Sequence, residues 1–134
     1  MTLPFTVVLK SGLPVHDQVV FAVERALVSG QLRAGDAFPS VRALSQQLRI
    51  NPNTAHRIVS TLVRDGLLEV RPGMGTMVTR RPAASAAERR ALLTGDVERL
   101  VVAARKLSLD LDDVMDAVRE QWQRLENSPK RGVR

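Results

Sequence analysis

At 134 residues the chain suits one compact domain with an appendage and is too short for a large enzyme. Its formal net charge of +6 favours a polyanionic partner, a condition that nucleic acid and acidic lipid surfaces both meet. The absence of cysteine excludes disulfides and thiolate metal sites; with no basic start and long apolar run at Met1 to Lys10, and no stretch of about 18 apolar residues, a cytoplasmic protein without membrane attachment is expected.

In chain order, Phe5 to Leu9 reads as a short strand, and Ser11-Gly12 turns into a first helix marked by Val15, Val19, Ala22, Val23, Ala26 and Leu27, with Gly30 as its stop. Gly35-Asp36 belongs to a loop before Pro39. Val41, Leu44 and Leu48 then mark a short helix for which Ser40 is the N-cap. A tight turn at Arg49-Ile50-Asn51 leads to a third helix. Asn51 can accept a hydrogen bond from a free N–H of its first turn, and Pro52 fits the first helical position, where no N–H is needed. Ala55, Ile58, Val59, Leu62 and Val63 recur at three-and-four spacing and face a core, which leaves Asn53, His56, Arg57, Ser60 and Arg64 outside. Asp65-Gly66 ends the helix. Leu67 to Val70 and Thr76 to Val78 read as strands flanking Pro72-Gly73-Met74-Gly75, whose glycines permit the positive φ of a hairpin loop.

Two short helices joined by a tight turn and followed by a hairpin make a winged helix-turn-helix over residues 1–80. In such modules the second helix of the pair enters the major groove while flanking elements hold the backbone. The fold class is therefore mostly α with a small β-hairpin. Charge agrees: residues 39–80 carry Arg42, Arg49, Arg57, Arg64, Arg71 and Arg80 against Asp65 and Glu69, whereas residues 10–38 are balanced. Asn53, Thr54, His56 and Arg57 are the candidates for base edges, since Asn pairs bidentately with adenine and Arg with guanine. Gly73 and Gly75 are first of all hairpin residues, and a small loop also lets the wing backbone approach DNA, with Arg71 and Arg80 supplying charge.

Residues 81–85 read as a linker into a two-helix module over 86–127, with a disordered tail at 128–134. Leu93, Val97, Leu100, Ala104 and Leu107 form one apolar seam; Leu111, Val114 or Met115, Val118, Trp122 and Leu125 form a second, after a cap at Asp110. A monomer cannot bury two such seams unless the helices fold onto each other or onto the first domain. Gly95 costs about 1 kcal/mol in a helix interior relative to Ala, so a break or local kink is expected near Thr94-Gly95-Asp96. Trp122 at a seam position is a core or dimer anchor rather than a ligand stacker.

The blocks Phe38 to Leu44, Asn51 to Ala55, Leu62 to Leu68 and Gly73 to Val78, extended by Pro14 to Gln18 and Gly30 to Gly35, resemble the GntR family of bacterial transcriptional regulators. The Asn-Pro-Asn-Thr opening and short helical C-terminus resemble its small YtrA-type subfamily. The resemblance implies that Ser40, Arg42 and the first turn of the third helix, from Asn51, touch DNA, with Arg42 as a phosphate anchor, and that the tail helices form a homodimer. Three positions depart from the family pattern. Arg49 stands where relatives have a small residue, often glycine; Met74 stands where many have a basic residue; and relatives outside the subfamily place arginine where Pro52 and His56 occur.

The function expected is a sequence-specific regulator, a homodimeric repressor on an inverted-repeat operator of double-stranded DNA with half-sites about 34 Å or a multiple apart. The alternative is a winged helix that docks a protein without specific operator binding. No catalytic triad order, phosphate-cradling loop, cofactor motif or metal-ligand spacing is present, and His16 and His56 lie on different helices. The tail is too short for the effector domain of larger relatives, so the identity of any small-molecule effector is open.

Overall fold

The computed structural model describes residues 3–80 and 83–126, which fall into two compact units, one through residue 80 and one from residue 83. The expected tail at 128–134, the first two linker residues and residue 127 lie outside the described residues.

The first unit begins with an irregular segment, not a strand, over residues 5–10. Phe5 nonetheless enters the core, its ring stacked on Phe38 with centroids 5.7 Å apart. Helix α1 (Val15–Ser29) buries Val19, Ala22, Val23 and Ala26 along one stripe. The chain then returns through Leu32, which is fully buried, to strand β1 (Ala37–Phe38). This strand lies in what the sequence reads as loop. It exists because β3 needs an outer partner: Ala37 pairs with Met77 and Phe38 with Thr76. Two further bonds join the same segments, Gly35 N–H to the Val78 carbonyl at 2.9 Å and Val78 N–H to the Asp36 carbonyl at 2.8 Å.

Helix α2 (Val41–Leu48) is capped by Ser40, whose Oγ accepts from Ala43 N–H at 3.1 Å. Helix α3 (Pro52–Arg64) is capped by Asn51, whose Oδ1 accepts from Asn53 N–H at 2.7 Å, with Pro52 at the first position. Ala55, Ile58, Val59 and Leu62 are buried; Ile58 and Leu62 are fully so, each worth about 1.5 to 3 kcal/mol of transfer free energy. Val63, expected on the same face, is exposed at the edge of the stripe. The apolar arc of α3 is therefore narrower than the sequence pattern suggests.

Strands β2 (Leu68–Arg71) and β3 (Gly75–Val78) form the hairpin, antiparallel with Leu68 opposite Val78 and Arg71 opposite Gly75, and the sheet order is β1-β3-β2. Pro72 and Gly73 occupy the centre of a turn closed by Met74 N–H to the Arg71 carbonyl at 3.0 Å. Gly73 at φ 76° and Gly75 at φ 89° take values that residues with a Cβ adopt at a cost. At the base of the hairpin Thr79 donates its hydroxyl to the Gly66 carbonyl and its N–H to the Leu67 carbonyl.

The second unit is helical. Helix α4 (Ala86–Ala91) starts with a reciprocal capping box, Glu88 N–H to Ser85 Oγ and Ser85 N–H to Glu88 Oε1. A π-helical turn (Leu92–Asp96) containing Gly95 joins it to α5 (Val97–Lys106), so the helix runs on there without the expected break, its junction residues keeping right-handed helical dihedrals. Helix α6 (Leu111–Glu126) follows a turn in which Ser108 takes φ 60°. Asp110 caps it through Asp113 N–H to Oδ1 at 3.0 Å, returned by Asp110 N–H to Asp113 Oδ2 at 3.1 Å. Among the described residues no helix is long and apolar enough to cross a membrane.

Candidate nucleic-acid interface

The helix-turn-helix angle depends on the turn between α2 and α3, and that turn is held by a residue the sequence reading passed over. Arg49 sits at φ 55°, ψ 50°, the left-handed region that disfavours residues with a Cβ. Ser45, buried one turn earlier, binds the strained segment. Its carbonyl accepts from Arg49 N–H and from Ile50 N–H at 3.1 Å, and its Oγ donates to the Ile50 carbonyl at 2.9 Å. A small hydroxyl residue four positions ahead of the turn was the available signal.

Around α3 two chemistries separate. The core stripe is buried, whereas Asn53, His56, Arg57 and Ser60 are exposed and Thr54 is half-buried. Asn51 commits its side-chain oxygen to the cap, which leaves the NH2 group as its remaining donor. Ser40 similarly uses Oγ as an acceptor and keeps a hydroxyl proton to donate. Arg42 on α2 and Arg57 on α3 are exposed and have no carboxylate partner among the described residues. A guanidinium without a partner retains all five donors for phosphate or guanine.

The wing differs. Arg71 is held by Glu69 two residues earlier on the same face of β2, through Nε at 3.0 Å and Nη2 at 3.2 Å. The hydrogen bond from Arg71 pulls the Glu69 carboxyl below its ordinary range and raises Arg71 reciprocally. Gly73 is exposed at the turn, Met74 and Val70 are exposed, and Arg80 follows at the base. The wing thus presents backbone and apolar atoms with an internally neutralised arginine. Residues two apart on a strand share a face, so this pairing was legible in the sequence although the charge count alone missed it.

In the second unit Leu100, Ala104, Leu107, Val114, Val118, Trp122 and Leu125 line one groove of ≈ 510 Å³ between α5 and α6. Leu93, Val97 and Leu111, the other seam residues, do not line it and are exposed. Only Ala104 is buried; Leu107, Leu111 and Trp122 are 72%, 73% and 67% exposed, an apolar surface that the single chain leaves in water. Among the described residues no group of three His, Asp or Glu side chains is arranged to hold a metal ion.

The sequence profile of the bacterial regulatory proteins of the gntR family matches residues 16–78. The HTH-type transcriptional regulator YhcF of Bacillus subtilis is 32% identical over 111 residues, spanning 82% of this chain and 91% of that protein. The HTH-type transcriptional repressor YtrA of the same organism is 24% identical over 112 residues, 83% of this chain and 86% of its own length. Among solved structures, a transcriptional antiterminator from Listeria monocytogenes EGD-e superimposes with a TM-score of 0.80 at 22% identity, covering 92% of this chain and 93% of that one, which shows the fold. The DNA-binding domain of AraR, crystallised in complex with operator ORX1, matches at 25% identity and a TM-score of 0.50 over 59% of this chain and 99% of that domain.

Proposed function

Because this chain belongs to the gntR family of bacterial regulatory proteins, as a DNA-binding regulator of the YtrA-like kind, we propose that it acts as a homodimeric repressor on an inverted-repeat operator. The observation that carries the reading is α3: one buried stripe fixes the helix, and the opposite face offers Asn53, His56 and Arg57 with Thr54 at its edge. Asn53, Thr54 and His56 reach base edges, and Arg57 stands at the border between bases and backbone. Arg42 and Ser40 anchor phosphates, Asn51 adds its NH2 group, and the Gly73 turn brings wing backbone to the duplex. AraR, similar over the first unit, is a protein whose domain of this kind holds operator DNA, and YtrA is named a repressor.

Dimerisation is supported by the second unit. A chain that leaves Leu107, Leu111 and Trp122 exposed gains by burying them against a second copy, at about 25 cal/mol per Å² of apolar surface. Paired reading heads bind two half-sites about one helical turn or a multiple apart, roughly 34 Å, and the chromosome as partner places the protein in the cytoplasm. Release by an effector requires a ligand that binds the two head arrangements with different affinity.

The test is a binding selection from genomic fragments, with recovered DNA retested by mobility shift at two salt concentrations. A recovered inverted repeat that outcompetes scrambled DNA at the higher salt supports the reading; uniform binding that vanishes with salt refutes it and moves the weight to a protein partner.

A further inference from the structure

The last two turns of α3 and the start of α1 share an open groove of ≈ 440 Å³ lined by His16, Arg57, Ser60, Thr61 and Arg64. The four α3 residues recur at three-and-four spacing and so form one face. Every lining side chain carries a hydrogen-bonding head: two guanidinium groups, two hydroxyls and an imidazole. Two carboxylates stand at the margin, Asp17 against His16 Nδ1 at 3.0 Å and Asp65 against Arg64 Nε at 3.5 Å. Arg57 has no carboxylate among the described residues, and Arg64, 75% exposed, is only partly engaged.

We propose that this groove is a phosphate site, filled by a backbone phosphate of DNA when α3 lies in the major groove, and that His16 and Thr61 make its occupancy proton-linked. The proposal rests on α3 as the reading helix. Arg57 and Arg64 supply the charge, and Ser60 and Thr61 supply hydroxyl donors, the set that backbone phosphates recruit.

The proton link follows from the hydrogen-bond chain. His16 Nε2 lies 2.8 Å from Thr61 Oγ1, and Nδ1 faces Asp17. In the neutral ring Nδ1–H donates to Asp17, so Nε2 accepts the Thr61 hydroxyl proton and Thr61 has none left for an anion. When the ring gains a proton, Nε2–H donates to Thr61 Oγ1 and the hydroxyl proton turns to the groove. Asp17 on α1 favours the protonated ring; Arg57 and Arg64 on α3 oppose it, with Asp65 tempering Arg64. A phosphate between the arginines removes their opposition. DNA binding therefore takes up a proton at His16 and tightens as pH falls.

The test uses the full chain and anisotropy of operator and scrambled duplexes at about pH 6 and about pH 8, in buffers free of phosphate. We expect wild type to bind both duplexes roughly three- to tenfold tighter at the lower pH, with His16→Gln and Thr61→Val losing most of that gain equally on both, the signature of a backbone contact. The difference between wild type and these variants removes any contribution from His56. Arg64→Ala, outside the core, guards against loss of fold and is expected to lower the salt slope by about one. An unchanged pH dependence in His16→Gln, or an unchanged salt slope in Arg64→Ala, overturns the proposal. A second arm follows the imidazole NMR signals of the two histidines. His16 shifting with inorganic phosphate but not with DNA makes the groove a free-anion site and refutes the backbone assignment; His16 shifting with DNA supports it. Asn53→Ala separates the two readings: if it leaves sequence preference intact, α3 is not the reader, and if it abolishes preference while the His16 result fails, only the phosphate site falls.

Discussion

Ser45 grips Ile50 from both sides, accepting its N–H at 3.1 Å and donating a hydroxyl to its carbonyl at 2.9 Å, across the left-handed Arg49. The turn that sets the angle between α2 and α3 is thus held by a buried side chain instead of by a glycine. Ser45→Ala is expected to cost about 1 to 2 kcal/mol, because a half-buried turn loses its donor. Arg49→Gly relieves the positive φ but loosens the unfolded chain, so its gain stays below about 1 kcal/mol. Urea denaturation of both variants checks the order; a neutral Ser45→Ala would show that the turn is held elsewhere.

The wing holds its own arginine back. Glu69→Gln is expected to weaken the grip on Arg71 and tighten DNA binding by about two- to fivefold on any sequence, with a salt slope steeper by up to about one. In an Arg71→Ala background the same change should give a smaller gain, and an equal gain in both backgrounds would mean that Glu69 acts only by repelling phosphate.

Leu100→Asp with Val118→Asp places two charges in the apolar groove between α5 and α6. Sedimentation is expected to show monomers with unchanged helix content in the first unit, and operator affinity should drop while half-site binding persists. A dimer of unchanged strength would rule out that groove as the interface.

The capping box of α4 carries an acid limb. Backbone and hydroxyl hydrogen bonds from Ser85 hold the Glu88 carboxyl below its ordinary range. A folded value depressed below the unfolded one means that the cap's contribution is present above the usual glutamate range and is lost as pH falls through the lower, folded value. Carboxyl ¹³C titration of Glu88 should give a midpoint below that of a free glutamate, and Ser85→Ala, which removes the hydroxyl but keeps the backbone donor, should move it only part of the way back.

How much of this was legible in the sequence depends on range. Asn51-Pro52, Ser40 and Asp110 announce helix starts because a cap is decided within three residues, and the structure has all three. The apolar stripe of α3 and the Pro72-Gly73 turn are equally local. Gly95 reads as a helix break because glycine weakens a helix interior, but the chain runs helically through it as a π-helical turn, because its neighbours keep right-handed helical dihedrals. Phe5 to Leu9 reads as a strand because it is rich in β-branched and apolar residues, but a strand requires a partner edge, and the outer edge of β3 is taken by Ala37–Phe38.

By itself, then, the sequence determined the order of parts, the caps, the hairpin and the excess of arginine over carboxylate across residues 39–80, all legible along the chain without knowledge of its packing. Only tertiary structure decided that Ala37–Phe38 closes the sheet, that Phe5 stacks on Phe38 and that His16 meets Thr61 across 45 positions. Those contacts join segments distant in sequence. Their pairing follows from which surfaces remain unburied once the local elements have formed, and periodicity does not encode that.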